Sequence, residues 1–231
     1  INLDIPAGFY RVGTDLEQSG RWRDGSLVRW RDGSLRPVGG WRERKANFST
    51  NPIRGMHSWE SNNDDQYVAG GSSNELKVMI AGGILYDVTP SDLVAGLVNA
   101  DVSTGYGKSF YGTSYYGTPR PDTGNFSEAT TWAIDNFGEN IVACSVADGR
   151  LLQWSLGTSA DAVAITNAPT GNLSLVVTEE RFLFALGAGG NPRKVQWCDR
   201  ENNTLWTAAN ENEAGDIELQ TSGQVMCGIR T

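Results

Sequence analysis

The chain is poor in the side chains from which catalytic and metal centres are built: 231 residues hold one histidine, His57, and three cysteines. Cys144, Cys198 and Cys227 are widely spaced and form no Cys-x-x-Cys pair, so neither a zinc site nor a disulfide framework is indicated. They read as small core residues made in a reducing cell. No Gly-x-Ser-x-Gly elbow accompanies His57, which argues against a hydrolase triad and leaves it as a strand residue. No apolar run approaches the roughly 18 residues of a membrane helix, so no membrane insertion is expected. The start, Ile1-Asn-Leu-Asp-Ile5, has neither the basic region nor the apolar stretch of a signal peptide. Four Asn-x-Ser/Thr triplets, at Asn47, Asn125, Asn172 and Asn202, carry no weight without other signs of secretion. Helical periodicity is almost missing too, with Ser91 to Val98 and Asn125 to Thr131 the best candidates, both short.

What is present is a tandem repeat. Trp22-Arg-Asp-Gly-Ser-Leu27 is followed by Trp30-Arg-Asp-Gly-Ser-Leu35, and Trp41 comes after Pro37-Val-Gly-Gly40. Each Asp-Gly supplies the positive-φ residues of a tight hairpin turn, and Leu27-Val-Arg-Trp-Arg31 alternates as a strand does. The segment is therefore predicted to be a short antiparallel ribbon. Charge is divided unevenly around it: residues 1–55 carry ten Lys/Arg and six Asp/Glu, whereas the remainder carries nine and twenty-one. A basic ribbon ahead of an acidic body suggests a docking element on a scaffold. The acidic body argues against tight nucleic-acid binding, and it suits a surface past which DNA slides without sticking.

Beyond residue 53 almost everything alternates, or runs apolar for four to six residues between Gly, Asn and Asp, which makes the class all-β. Three stretches align as successive strands, starting near Trp59, Trp132 and Leu175. With Tyr67, Ile141 and Phe182 taken as equivalent, the steps are 74 and 41 residues. The excess in the first matches a Gly/Tyr-rich insertion at 95–127, and its removal leaves a period near that of four-stranded propeller blades. A fourth unit opens at Gln224-Val-Met-Cys-Gly-Ile229. The expected architecture is an incomplete β-propeller: an extended segment and ribbon at 1–53, a first blade at 54–94, the insertion at 95–127 as a long loop, and further blades at 128–231 with the last incomplete. Three blades and part of a fourth cannot close a ring, so the chain is expected to be part of a longer polypeptide or to close with something else.

Ile5-Pro-Ala-Gly-Phe-Tyr-Arg-Val-Gly-Thr14, Gly20 to Trp30 and Arg36-Pro-Val-Gly-Gly-Trp41 resemble the N-terminal region of tail proteins from short-tailed bacteriophages. Gly83-Ile-Leu-Tyr-Asp-Val-Thr-Pro90, Asp135-Asn-Phe-Gly-Glu139 and Thr178 to Gly187 extend the resemblance over all but the insertion. The family is that of the tail nozzle or hub, also called tail stabilisation proteins. The resemblance implies a virion protein without catalytic residues or cofactor, in a hexameric ring or tube that continues the DNA channel below portal and adaptor. It also implies attachment of fibres or spikes and a needle, and passage of genomic DNA without specific binding. Members are usually longer than this sequence. The lumen of such a tube is expected to be acidic or neutral.

Trp22, Arg23, Trp30, Arg31 and Trp41 are candidates for a partner interface, since Trp and Arg dominate such surfaces. The alternative is a hairpin that completes the domain's own core. Tyr106, Phe110, Tyr111, Tyr115 and Tyr116 lie on a Gly/Ser background like that of a paratope. They read as a second partner contact, or as a loop folded back over its own propeller face. Gly187-Ala-Gly-Gly190 joins two strands and reads as a hairpin turn, not a dinucleotide site. Asn62-Asn-Asp-Asp65 lacks the ligand spacing of a calcium loop and reads as a solvated turn. The competing function is a carbohydrate-binding or depolymerising propeller on the virion, stacking Trp and Tyr on sugar rings.

Overall fold

The computed structural model describes residues 5–40, 43, 47–80, 82–102, 126–157 and 159–230, with backbone alone at 101–102 and 126–127. The chain divides into two units, Ile1–Ala46 and Asn47–Thr231.

In the first unit β1 (Val28–Arg31) pairs antiparallel with β2 (Ser34–Pro37), placing Trp30 opposite Leu35. Asp32 and Gly33 turn the chain at φ of 53° and 73°, the two-residue turn whose twist suits a hairpin. The second copy of the hexapeptide repeat thus makes the ribbon. The first copy makes no hairpin turn at its Asp-Gly, contrary to the sequence expectation; it bends instead at Ser26–Leu27, where Leu27 has φ of 58°. Gly25 has no positive φ; a Cβ on it would lie 2.3 Å from the Phe9 ring, so the glycine serves close packing. Trp22 forms an isolated parallel bridge with Phe9 instead.

The second unit is built on three four-stranded sheets, each an antiparallel meander in chain order. Sheet I is β3 (Gly55–Glu60), β4 (Gln66–Gly71), β5 (Leu76–Ile80) and β6 (Ile84–Asp87). A two-stranded ladder of β7 (Asp101–Val102) and β8 (Phe126–Ser127) then brackets residues 103–125. Sheet II is β9 (Trp132–Phe137), β10 (Asn140–Ser145), β11 (Leu151–Trp154) and β12 (Val163–Ala164). Sheet III is β13 (Ser174–Val177), β14 (Leu183–Leu186), β15 (Lys194–Trp197) and β16 (Gly215–Glu218). Among the described residues the one helical element is a short 3-10 turn, Ala188–Gly190. The protein is all-β.

Neither helix candidate is a helix in the structure. Ser91 to Val98 is a loop whose backbone is tied elsewhere: Val94 donates its N–H to the Asp148 carboxylate (2.9 Å) and Gly96 donates to the Ser73 carbonyl (2.8 Å). Residues 126–131 are β8 followed by irregular chain.

The sheets pack face to face, and strand alternation decides which residues meet. Between sheets I and II lie Trp59, Tyr67, Ala69, Leu76 and Val78 from one side and Trp132, Ile141, Ala143, Leu152 and Trp154 from the other. Between II and III lie Val142, Cys144 and Leu151, opposed by Leu175, Val177, Leu183 and Ala185. Sheet II is therefore buried on both faces, which is why Ile141-Val-Ala-Cys144 reads as a continuous apolar run and not as an alternation. β9 runs beside β3 on one side and β13 on the other, so the three first strands share one region of the unit.

Cross-strand register corrects the repeat alignment. Tyr67 faces sheet II, but Ile141 faces back toward sheet I, so the two cannot be equivalent, because a one-residue slip exchanges the faces of a strand. The ladders Ser58·Val68·Met79·Leu85, Ile134·Ala143·Leu152·Ala164 and Leu175·Ala185·Gln196·Asp216 occupy one face of their respective sheets. Val68, Ala143 and Ala185 are then the equivalents, 75 and 42 residues apart. Removal of the 33-residue insertion at 95–127 makes both steps the same length.

Candidate functional site

Two places gather the side chains that carry chemistry: the ribbon of the first unit and the cleft between the first strands of the second.

In the ribbon, Trp30 packs against Phe9 and Trp22, with ring centroids 6.5 and 6.4 Å apart. The indole N–H of Trp30 is buried without a hydrogen-bond partner, which costs stability and shows that the ring is committed to packing. Trp22 remains 37% exposed at the edge of this cluster. The arginines point the other way. Arg23 meets Asp15 at 2.9 Å and Arg31 meets Asp32 at 3.7 Å, both on the surface, where such pairs contribute about 0–1 kcal/mol. Arg29 and Arg36 are exposed beside them. Asp24 is held below the usual carboxylate range by the Gly25 N–H and the Arg11 guanidinium. Of the candidates from sequence, the structure brings Trp22 and Trp30 together as a small core and leaves Arg23 and Arg31 in solvent. The aromatic residues Trp22 and Trp30 thus pack within the unit itself, and the cationic ones stay on its surface. Trp41, Tyr106, Phe110, Tyr111, Tyr115 and Tyr116 lie outside the described residues.

The cleft is walled by β3, β9, β13 and residues 224–230. Its middle is a cavity of about 430 Å³ touched by Met56, Trp132, Ile134, Leu175, Val176 and Met226. A second cavity of about 400 Å³ lies where the first strands begin, between Leu97, Thr130, Val146 and Leu173. A third, of about 270 Å³, lies where they end and is polar, bordered by Glu60, Asn136, Glu139, Glu179, Arg181 and Arg230.

Beside this polar end His57, from β3, faces Asp135 and Asn136 of β9. Its Nε2 is 3.1 Å from Asn136 Oδ1 and 3.8 Å from Asp135 Oδ1. The Asp135 carboxylate is spent on backbone: Oδ1 accepts the Asn136 N–H (2.9 Å) and Oδ2 accepts the Val177 N–H of β13 (3.0 Å). Asp135 therefore ties sheet II to sheet III. Glu139 ties sheet II to sheet I in the same way, its carbonyl accepting the Trp59 indole N–H (3.0 Å) and its carboxylate the Asn62 N–H (2.8 Å). At the opposite end the Trp132 indole donates to the Ser72 carbonyl (2.5 Å). These ties were not visible in the sequence, since their partners are 42 to 80 residues apart.

A third polar cluster holds the 90–98 loop. Arg150 binds Asp148 through Nε (2.6 Å) and Nη2 (2.8 Å), and Asp92 through Nη1 (2.6 Å). Burial pushes the Asp148 carboxyl up, but the Arg150 guanidinium and the Val94 N–H outweigh it and leave it below the ordinary value. Burial pushes the Cys144 thiol up to about 12 and the Cys198 thiol upward too, which makes both inert as nucleophiles. Residues 62–65 form a turn closed by the Ser61 N–H to the Asp65 carbonyl (3.0 Å), and Gly187–Gly190 links β14 to β15, as expected for each. Among the described residues no group of three His, Cys, Asp or Glu is placed to hold a metal ion, and no helix is long and apolar enough to cross a membrane. No protein-family model, curated protein or solved structure matches the chain.

Proposed function

We propose that the chain is a structural subunit of a short-tailed phage tail, an incomplete β-propeller whose four-stranded blades form part of a ring or tube for genome ejection. The observation that carries the propeller reading is the repeat of one meander at equal steps, with first strands gathered at a common cleft and each sheet packed face to face on the next. Propellers are built this way around their axis. The phrases that carry the family resemblance fall on the elements that build these sheets, namely β6, the β9–β10 turn and the β13–β14 hairpin.

A conduit wall must be rigid and must present lateral contacts. Polar side chains in this unit serve rigidity, since Asp135, Glu139 and Trp132 each bind the backbone of a neighbouring sheet. The exposed guanidinium groups of the first unit suit contact with an acidic neighbour such as an adaptor or portal subunit. The polar end of the cleft is bordered by carboxylate, amide and guanidinium groups and not by rings, which suits a wall better than a sugar-stacking site.

The test is to mix the purified protein with its portal and adaptor and image by negative-stain electron microscopy. Rings or tubes stacked on the portal complex are expected, and replacement of Arg29, Arg31 and Arg36 by Glu should abolish stacking. Dispersed particles with no affinity for that complex, together with binding on a glycan array, would overturn the reading in favour of the carbohydrate-binding alternative.

A further inference from the structure

The described part of the first unit holds six arginines, and four of them have a partner there. Arg11 pairs with Asp24, Arg23 with Asp15 and Arg31 with Asp32, while the Arg21 guanidinium lies over the Tyr10 ring, 5.5 Å from its centroid. Arg29 and Arg36 have no ion pair among the described residues, yet β1 and β2 place them directly opposite each other, both exposed. Like charges in that position repel. The ladder sets both on the face that also carries Arg31 and Ser34, because Val28, Trp30, Leu35 and Pro37 hold the other. Trp30 is committed to Phe9 and Trp22, so the ribbon cannot turn over to relieve the repulsion.

The same end of the ribbon leaves apolar side chains in solvent. Leu27 is 77% exposed and Val38 is 42% exposed. They lie one ladder step beyond Val28 and Pro37, where the Val38 N–H donates to the Leu27 carbonyl (2.8 Å). Leu27 also holds φ of 58°, which a glycine takes without strain and a leucine does not. Strained and largely in solvent, this leucine gains little from its own unit.

We infer that this end of the ribbon is a clamp for a carboxylate of a protein partner: Arg29 and Arg36 close on one Asp or Glu side chain, and Leu27 and Val38 rest on apolar surface beside it. Cβ atoms opposite each other in such a ladder are about 4.5–5.5 Å apart, so two guanidinium forks reach one anion from both sides. The incoming carboxylate supplies the counter-charge that the unit does not, and turns a repelling pair into a bridged one. Apolar side chains beside arginine are what the core of a protein interface offers. A nucleic acid would meet instead the net charge of -8 that the chain carries. The inference rests on the reading of these guanidinium groups as a contact for an acidic neighbour, and not on the tail role.

The experiment uses the full chain and two labelled probes, an oligoglutamate peptide and a single-stranded oligonucleotide of equal charge, read by fluorescence anisotropy at low salt. The peptide should bind, and Arg29→Gln and Arg36→Gln should each weaken it about tenfold, the loss of one charge-assisted contact. Arg23→Gln, whose guanidinium already has Asp15, should leave the affinity nearly unchanged. Neither clamp variant should lower the thermal midpoint, because each relieves a repulsion. No binding of the peptide, tighter binding of the oligonucleotide, or a loss in Arg23→Gln equal to that in Arg29→Gln would each overturn the inference. Stacking on portal and adaptor is read separately. Peptide binding through Arg29 and Arg36 without stacking keeps the clamp and removes the tail reading, whereas stacking unchanged by Arg29→Gln and Arg36→Gln removes the clamp and keeps the tail reading.

Discussion

Three hairpin and linker turns stack backbone on backbone at one end of sheets II and III, and a pair of glycines separates the two reasons a turn can need glycine. Gly149 has φ of 71°, and a Cβ on it would lie 2.8 Å from Gly171 Cα and 3.0 Å from Gly171 N. Neither neighbour can move away easily: Asn172 binds the Gly149 carbonyl through both its backbone N–H (2.9 Å) and its side-chain Nδ2 (2.8 Å). Gly157 has nearly the same φ, 74°, but a Cβ on it would find nothing within 4 Å. Gly157→Ala therefore meets only the left-handed conformation, at about 1–2 kcal/mol. Gly149→Ala meets that and a rigid steric clash of about 1–3 kcal/mol, for a total of about 2–5 kcal/mol. With an m-value of roughly 2 kcal/mol/M in urea, the midpoint should fall by about 0.5–1 M for Gly157→Ala and about 1–2.5 M for Gly149→Ala. Tryptophan fluorescence reports both, since Trp154 and Trp132 are buried in the same unit. Equal losses in the two variants would refute the claim that the turns are packed backbone on backbone.

Arg150→Met should cost about 2–4 kcal/mol in urea unfolding, less than the full penalty for breaking a buried pair because Arg150 is 24% exposed while Asp148 is fully enclosed. Asp148 and Glu75 both titrate below their ordinary range, so their stabilisation is present above about pH 4 and is lost as pH falls through the lower folded values; the gap between wild type and Arg150→Met should narrow below pH 4, and a constant gap would contradict the assignment. One thiol, Cys227, should react with a maleimide at pH 7 in the native protein and three after denaturation, because Cys144 and Cys198 are 0% exposed with raised thiol pKa values. Asp135→Asn should destabilise by about 1–3 kcal/mol, since the amide keeps one acceptor oxygen for two backbone donors; unchanged stability would mean that the carboxylate does not tie the sheets.

Most strands were legible because each keeps at least one apolar face, even where, as in β6, the strand is half in solvent. β3 to β6, β9 to β11 and β13 to β15 show apolar alternation or apolar runs ended by Gly, Asn or Asp. β12 and β16 gave no signal, and their exposure explains it: Val163 and Ala164 are both in solvent, and Gly215-Asp-Ile-Glu218 is mostly so. The phase of the repeat was not legible either. Alternation reports that a strand has two faces but not which of them meets the next sheet, and the choice of Tyr67, Ile141 and Phe182 mixed the two. The two hexapeptide repeats were indistinguishable in sequence, yet one turns and the other packs against Phe9, a residue more than ten positions upstream of Gly25.

Polar residues were the least legible of all, and the reason bears on function. Asp135, Glu139, Asp148 and Asn172 look in sequence like ordinary turn residues. In the structure each gives its lone pairs or its amide to the backbone of a distant segment. A carboxylate engaged in this way is poorly placed to act as a general base, because it must abandon a backbone donor before it can accept a substrate proton. The same engagement removes the conformational freedom by which neighbouring sheets could shear. Asp135 and Glu139 thus hold neighbouring sheets in register, although in sequence each reads as an ordinary turn residue.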